Sequence, residues 1–360
     1  MTHVELPDLL ARTAELVAIP SPSLAEGPLT DHLEAALRRG APQLAIDRLG
    51  NNLVARTRLG RPLRLVLAGH TDTVPENGNL PGHVEGDTLW GLGATDMKGG
   101  LAVLLELAAA LRAPAVDVTF VFYEAEEIAA EHNGLRKLFA EAPELVAGDA
   151  AILGEPTLGD VEAGCQGTMR LELELAGARA HTARPWMGRN AIHRLTGVLD
   201  RLDRYQERRP VLDGCEFREA MQAVQVIGGV AGNVVPDRVQ LTVNHRFAPD
   251  RSVAEAEAHC RTVLLPDPEP GDRLDVVDVA PGAAPGLTHP LLRALVDRNG
   301  LAVRSKLGWT DVARFAAAGI PACNVGPGDA TIAHTRDEFV TRASLERVYS
   351  ALHDLVHRGP

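Results

Sequence analysis

Short apolar runs, each ending in an acid or a histidine, recur along the chain. Leu65-Val66-Leu67-Ala68 runs into Gly69-His70-Thr71-Asp72, and Val118-Thr119-Phe120-Val121-Phe122-Tyr123 into Glu124-Ala125-Glu126-Glu127. Asp149-Ala150-Ala151-Ile152-Leu153 runs into Gly154-Glu155-Pro156-Thr157, and Ile320-Pro321-Ala322-Cys323-Asn324-Val325 into a glycine-rich loop that ends at His334. Runs this short, rich in aliphatic residues, predict buried strands rather than helices. Between them apolar positions recur at helical spacing: Leu6, Leu9, Leu10, Ala14 and Val17 over 5–18, then 29–39, 101–111, a helix from Pro290 and a last one from Ala343 to His357. Leu49 to Arg56 reads as a turn and strand, and Pro75 to Gly91 as a long polar loop. Strands alternating with helices predict an α/β fold, in which sites lie beyond the carboxyl ends of the strands.

The pattern changes after Glu155. Met169-Arg170-Leu171-Glu172-Leu173-Glu174-Leu175 alternates strictly, as a half-exposed antiparallel strand does. A helix over 186–207, strands at 224–226 and 239–243, a helix over 252–265 and a strand at 274–279 follow. That order, β-α-β-β-α-β, is ferredoxin-like. It predicts an α+β domain at 167–281 inserted into a mixed-sheet α/β catalytic domain made of 1–166 and 282–360, with the second boundary in Pro281-Gly282-Ala283-Ala284-Pro285-Gly286.

A length of 360 residues suits two domains, and 45% apolar with 23% charged residues is ordinary for a globular protein. The formal net charge of −12 argues against nucleic acid or an anionic membrane as partner. No apolar stretch is long enough to span a bilayer, and Met1-Thr2-His3-Val4-Glu5 has neither a basic n-region nor a signal-peptide core. Cys165, Cys215, Cys260 and Cys323 are far apart and read as reduced, cytosolic thiols. Aromatics, at 4%, are too scarce for stacking on sugars or bases to be the main recognition mode.

The chemistry sits where the strands end. His70 and Asp72 are two apart, so on an extended backbone they face one side, as a metal-ligand histidine and the carboxylate that orients it do; a strand that merely ends in polar residues is the alternative. Asp96 lies where the apolar helix opens and reads locally as its N-cap, with a bridging carboxylate as the alternative. Gly99 and Gly100 after it suggest close backbone packing. Glu124, Glu126 and Glu127 suit a solvated acidic loop, or a pair in which one acid binds metal and its neighbour moves protons. His70, Asp96, Glu127, Glu155 and His334 together could hold two ions: His70, Glu155 and one oxygen of Asp96 on one, and His334, Glu127 and the other oxygen on the second. Each ion would keep an open position, the mark of a catalytic site, and a shared carboxylate sets two ions about 3.5–4 Å apart. Nitrogen and oxygen donors without thiolate fit Zn2+ best, with Co2+ or Mn2+ as substitutes.

Over nearly its whole length the sequence resembles the M20 family of di-zinc aminoacyl-hydrolases. The resemblance rests on Gly69-His70-Thr71-Asp72-Thr73-Val74, Gly93-Ala94-Thr95-Asp96-Met97-Lys98-Gly99-Gly100, Glu126-Glu127, Gly154-Glu155-Pro156-Thr157 and His334. Glu162-Ala163-Gly164-Cys165-Gln166-Gly167-Thr168 and Gly308-Trp309-Thr310-Asp311-Val312-Ala313-Arg314-Phe315 are similar to the actinobacterial succinyl-diaminopimelate desuccinylase branch. The resemblance implies cleavage of N-succinyl-LL-2,6-diaminopimelate by water, with acetylornithine deacetylase or dipeptidase as the alternatives inside the family. It makes Asp96 the bridging ligand and implies a cis peptide bond between Asp96 and Met97. It assigns proton transfer to Glu126 and orientation of His70 to Asp72. Ala180-His181-Thr182-Ala183-Arg184-Pro185 matches the family's Gly-His-x-Ala-x-Pro except at Ala180, making His181 the oxyanion donor. Asn233, Arg246 and Thr310 match substrate-binding positions, and the substrate implied is a small N-acyl amino acid. The desuccinylases of other bacteria carry an arginine near the position of Cys165-Gln166; this chain has none there, which leaves the acyl specificity open. The implied assembly is a homodimer through the inserted domain, with His181 acting on the partner's metals. A metal-free binding protein on the same fold is the reading from another class, and the intact Glu126 speaks against it. A di-metal phosphoesterase is disfavoured because no basic phosphate cradle is present.

Overall fold

The computed structural model describes residues 6–360; Met1–Glu5, and with them the reading of the chain start, lie outside the described residues. The chain divides into two compact units. One comprises the residues up to Ala163 with Pro285–Arg304 and Arg314–Pro360, and the other comprises Gly164–Ala284 with Ser305–Ala313.

The first unit is built on an eight-stranded mixed sheet. Its order is Ala45–Leu49, Asn52–Arg56, Asp117–Tyr123, Arg64–His70, Ala150–Leu153, Ala322–Asn324, Val161–Ala163 and Val303–Ser305. Arg64–His70 runs parallel to both Asp117–Tyr123 and Ala150–Leu153, and Ala322–Asn324 runs parallel to Ala150–Leu153. These four are the apolar runs of the sequence, so their carboxyl ends share one edge. Central position buries them on both faces, which explains runs that are apolar throughout rather than alternating. The helices Leu9–Val17, Gly27–Gly40, Gly99–Ala110, Pro290–Asn299 and Arg342–Arg358 supply the cover. Gly99–Ala110 is apolar nearly all round and is buried along most of its length.

Several boundaries differ from the sequence reading. The first helix starts at Leu9 because the Asp8 carboxylate accepts from the Ala11 N–H. The loop 75–91 contains two short strands, His83–Glu85 and Thr88–Trp90, joined into a three-stranded sheet by Phe339–Thr341, a partner far away in sequence. Asp96 is not an N-cap: the helix begins at Gly99, and Asp96 itself is non-helical (φ −119°, ψ 94°). A side chain at Gly100 would meet the Gly154 carbonyl at 2.4 Å, so the close packing expected there is present. The Asp96–Met97 peptide bond is cis.

The second unit is a four-stranded antiparallel sheet in the order Ala220–Gly228, Arg238–Phe247, Gly167–Ala176, Arg273–Ala280. Two helices, Ala191–Asp203 and Val253–Leu264, pack on one face. Met169, Leu171, Leu173 and Leu175 meet Leu195, Val198, Leu241, Val243 and Cys260 in the core. The expected helix over 186–207 is shorter: Pro185–Met187 forms one 3-10 turn, and Asn190 caps the true start by accepting from His193. Residues 305–313 pack with this unit, not with the other, so Thr310 lies outside the C-terminal part of the catalytic domain where the sequence reading placed it. All four cysteines are buried free thiols.

Candidate metal centre

Each candidate ligand of the first unit is delivered by a strand end or a loop at the shared sheet edge. His70 is the last residue of Arg64–His70, and its ring is buried. Nδ1 lies 3.0 Å from the Asp72 carbonyl oxygen and 3.4 Å from Asp72 Oδ1. Nε2 is turned the other way, 3.1 Å from Asp96 Oδ1. The second oxygen of Asp96 lies 3.5 Å from His334 Nε2, which is 2.8 Å from Glu127 Oε1. Asp96 therefore stands between two imidazoles with one oxygen toward each. Ligand atoms of His70, Asp96 and Glu127 lie within 4.8 Å of one another, close enough to share one cation. Glu155 follows the strand Ala150–Leu153, is buried, and its charge acts on His70.

Asp72 is the organising group behind this edge. Its carboxylate accepts from the Glu126 N–H at 2.9 Å, the Glu127 N–H at 3.0 Å and the Ser23 hydroxyl at 2.8 Å. Burial alone would raise its pKa, but the His70 contact and the two backbone donors hold it down, at about 2. One carboxylate thus fixes the His70 ring and the backbone that carries both glutamates. Ala125, at φ +56°, and His334, at φ +62°, adopt the left-handed backbone that non-glycine residues avoid. Strain of this kind gathers where side chains must be aimed.

The electrostatics suit cations. Burial would lower the pKa of His70, yet Asp72, Asp96 and Glu155 raise it well above the ordinary histidine value. Hydrogen bonds to Asp96 and Glu127 raise His334 to about 10. Burial opposes ionisation of Asp96, but contacts with His334 and His70 keep its carboxyl well below the ordinary range. Three carboxylates and two imidazoles are a donor set that divalent ions fit.

Two supporting residues escape a sequence reading. Glu338 is buried and accepts from the N–H groups of Gly93 (3.0 Å), Thr95 (2.9 Å) and Asp96 (3.0 Å), so it shapes the loop that presents Asp96. Glu26 accepts from the Ala125 N–H at 3.1 Å, beneath the two glutamates. Each is an acid far from its partner in sequence, and no local pattern marks it.

The remaining candidates lie in the second unit. His181 is exposed. Its Nδ1 accepts from the Ala183 N–H at 3.0 Å, so in the neutral ring Nε2 carries the proton and points outward as a donor. The Asn233 carbonyl accepts from Thr182, which ties it to the His181 loop. Arg246 is half-buried on Arg238–Phe247, opposite Thr168, and its guanidinium has no hydrogen bond or ion pair among the described residues. Burial lowers its pKa. Thr310 is buried, and its carbonyl accepts from the Cys165 thiol at 3.8 Å.

Known proteins resemble this chain over most of its length. A Mycobacterium tuberculosis protein provisionally named a succinyl-diaminopimelate desuccinylase is 54% identical over 337 residues, covering 92% of this chain and 93% of that protein. The Corynebacterium glutamicum succinyl-diaminopimelate desuccinylase is 44% identical, with 92% of each chain covered. Among solved structures, a Staphylococcus aureus tripeptidase superposes with a TM-score of 0.77 at 22% identity, covering 98% of this chain and 97% of that one. The model of peptidase family M20/M25/M40 matches residues 66–358, and the chain belongs to that family.

Proposed function

We propose that the protein hydrolyses N-succinyl-LL-2,6-diaminopimelate to succinate and LL-2,6-diaminopimelate, an amide cleavage in diaminopimelate and lysine biosynthesis. The observation that carries this reading is the 54% and 44% identity, over 92% of the chain, to relatives named for that reaction. When bound, two divalent ions supply Lewis acidity to the attacking water and the scissile carbonyl; the donor set favours zinc, with cobalt or manganese as substitutes. His70, Glu155 and Asp96 would hold one ion, and His334, Glu127 and Asp96 the second. Asp72 keeps His70 in place. Glu126 takes a proton from the attacking water and passes it to the leaving amine. His181 donates from Nε2 to the oxyanion, and Asn233, Arg246 and Thr310 bind substrate. The deciding experiment is hydrolysis of succinyl-diaminopimelate, acetylornithine and a plain dipeptide side by side with added zinc. Preference for either of the last two would replace this assignment.

Arg246 suits a carboxylate, since a guanidinium offers two parallel hydrogen bonds and this one has no partner among the described residues. Arg246→Ala is expected to raise the apparent KM, with a loss of about 2–5 kcal/mol if the pair is dry. An unaltered KM would mean the carboxylate is held elsewhere.

The inserted unit is proposed to serve as dimerisation and lid domain in a cytoplasmic homodimer. The edge strand Ala220–Gly228 supports this, because it leaves Val224, Val226 and Ile227 more than half exposed on a row of unpaired backbone groups. His181 then acts on the partner's metals. Co-expressed His181→Ala and Glu126→Ala chains, each inactive alone, should regain activity as mixed dimers, since one site in each keeps both groups. Verified mixed dimers without activity would exclude the arrangement in trans.

A further inference from the structure

The first unit holds a cavity of about 180 Å³ with apolar walls from Pro22, Val74, Leu80 and Leu92. None of its lining residues is a candidate metal ligand or proton carrier. Sites for drug-sized ligands start at about 300 Å³, so this one suits a smaller molecule. Ser21, Lys98 and Glu76 also line it.

Each of these three has bonding capacity left. Ser21 is buried, and its hydroxyl has no hydrogen-bond partner among the described residues. A buried hydroxyl without a partner is costly, so something that meets it is favoured. Lys98 is buried too. Its ammonium donates to the Ile19 carbonyl at 2.7 Å, one residue before Pro20 of the cavity lining, and that bond uses one of three N–H groups. It has no ion pair among the described residues. The carboxylate whose charge acts on it, Glu338, is already bonded to the N–H groups of Gly93, Thr95 and Asp96. Glu76 is exposed, with no hydrogen bond or ion pair among the described residues. If Lys98 only offsets the buried charge of Glu338, the cavity, the Ser21 hydroxyl and Glu76 are left without a role.

We propose that this cavity binds a free α-amino acid with a short aliphatic side chain. A space this small brings its lining groups within reach of one ligand. Lys98 and Ser21 take the carboxylate, Glu76 takes the ammonium group, and the apolar walls take the side chain. Charge complementarity selects the zwitterion: one buried cation, one exposed anion and an apolar remainder. The cavity also adjoins the segments that carry two metal-centre residues. The Thr73 N–H donates to the Ser21 carbonyl at 2.9 Å, Ser23 holds Asp72 at 2.8 Å, and Lys98 stands two positions after Asp96. The site is separate from the proposed reaction and does not depend on it.

The test is calorimetric titration of the zinc-loaded protein with L-leucine and with 4-methylpentanoate, which is leucine without its amino group. Leucine should bind more tightly. Ser21→Ala should weaken both ligands by about 10-fold, the loss of one hydrogen bond to a charged group. Glu76→Gln, at an exposed position that the fold does not need, should weaken leucine by about 2–5-fold and leave 4-methylpentanoate unchanged, the scale of an exposed ion pair. Leucine affinity unaltered in both variants would place the amino acid on the zinc ions instead and overturn the inference. So would 4-methylpentanoate binding as tightly as leucine, or no binding of either.

Discussion

Glu126→Gln should keep its metals and lose turnover by about 10²–10⁴-fold, the range that a positioned general base supplies. The argument starts from the backbone. Adjacent N–H groups of Glu126 and Glu127 are both bound by the Asp72 carboxylate, so neither residue can shift without the other. Ala125 before them is held at φ +56°, which fixes how the two side chains leave the loop. Glu127 is committed to His334 at 2.8 Å. Glu126, the proposed proton carrier, is half-buried at the same edge. Replacing a carboxylate by an isosteric amide at Glu126 removes basicity and little else. Glu127→Gln should act differently, by lowering metal content. Elemental analysis and single-turnover kinetics on the two variants separate these roles; a Glu126→Gln enzyme with most of its turnover would end the assignment.

The parts of this site that are legible in sequence are those where one residue type follows directly from a strand. A buried parallel strand is apolar over its whole length, so the polar residue that ends it is conspicuous, and His70, Glu126, Glu127 and Glu155 all stand at such ends. Asp96 is the opposite case. An acid ahead of an apolar helix is what a cap looks like, and only contacts from His70 and His334, 26 and 238 positions away, show otherwise. Glu338 and Glu26 are hidden for the same reason: what they do depends on backbone N–H groups that the fold brings to them. The helix expected from 186 fails on local grounds, because Pro185 and Gly188 interrupt the apolar spacing that Asn190 then restarts. Residues 305–313 could not be assigned from pattern at all. They lie beyond the Pro/Gly/Ala-rich segment that reads as a boundary, yet pack back into the second unit through contacts such as that between Cys165 and Thr310.

Chelation should abolish activity and zinc should restore it, and the stripped protein should acquire a pH-dependent stability that the loaded protein lacks. Without ions, protons must hold the carboxylates and imidazoles together. His334 faces Glu127 at 2.8 Å and Asp96 at 3.5 Å, and these bonds raise its pKa from 6.5 to about 10. His70 is raised as well, between Asp72 and Asp96. A histidine whose folded pKa lies above its unfolded value adds stability that is complete below the unfolded value and is lost as pH rises through the folded one. The metal-free protein should therefore lose thermal stability as pH climbs from about 6.5 toward about 10, the interval set by His334. With ions in place the same nitrogens are ligands rather than proton carriers, and that dependence should disappear. Melting curves of chelated and zinc-loaded protein across this range make the comparison directly. Parallel curves, or persistent hydrolysis by protein verified as metal-free, would sink the two-ion account.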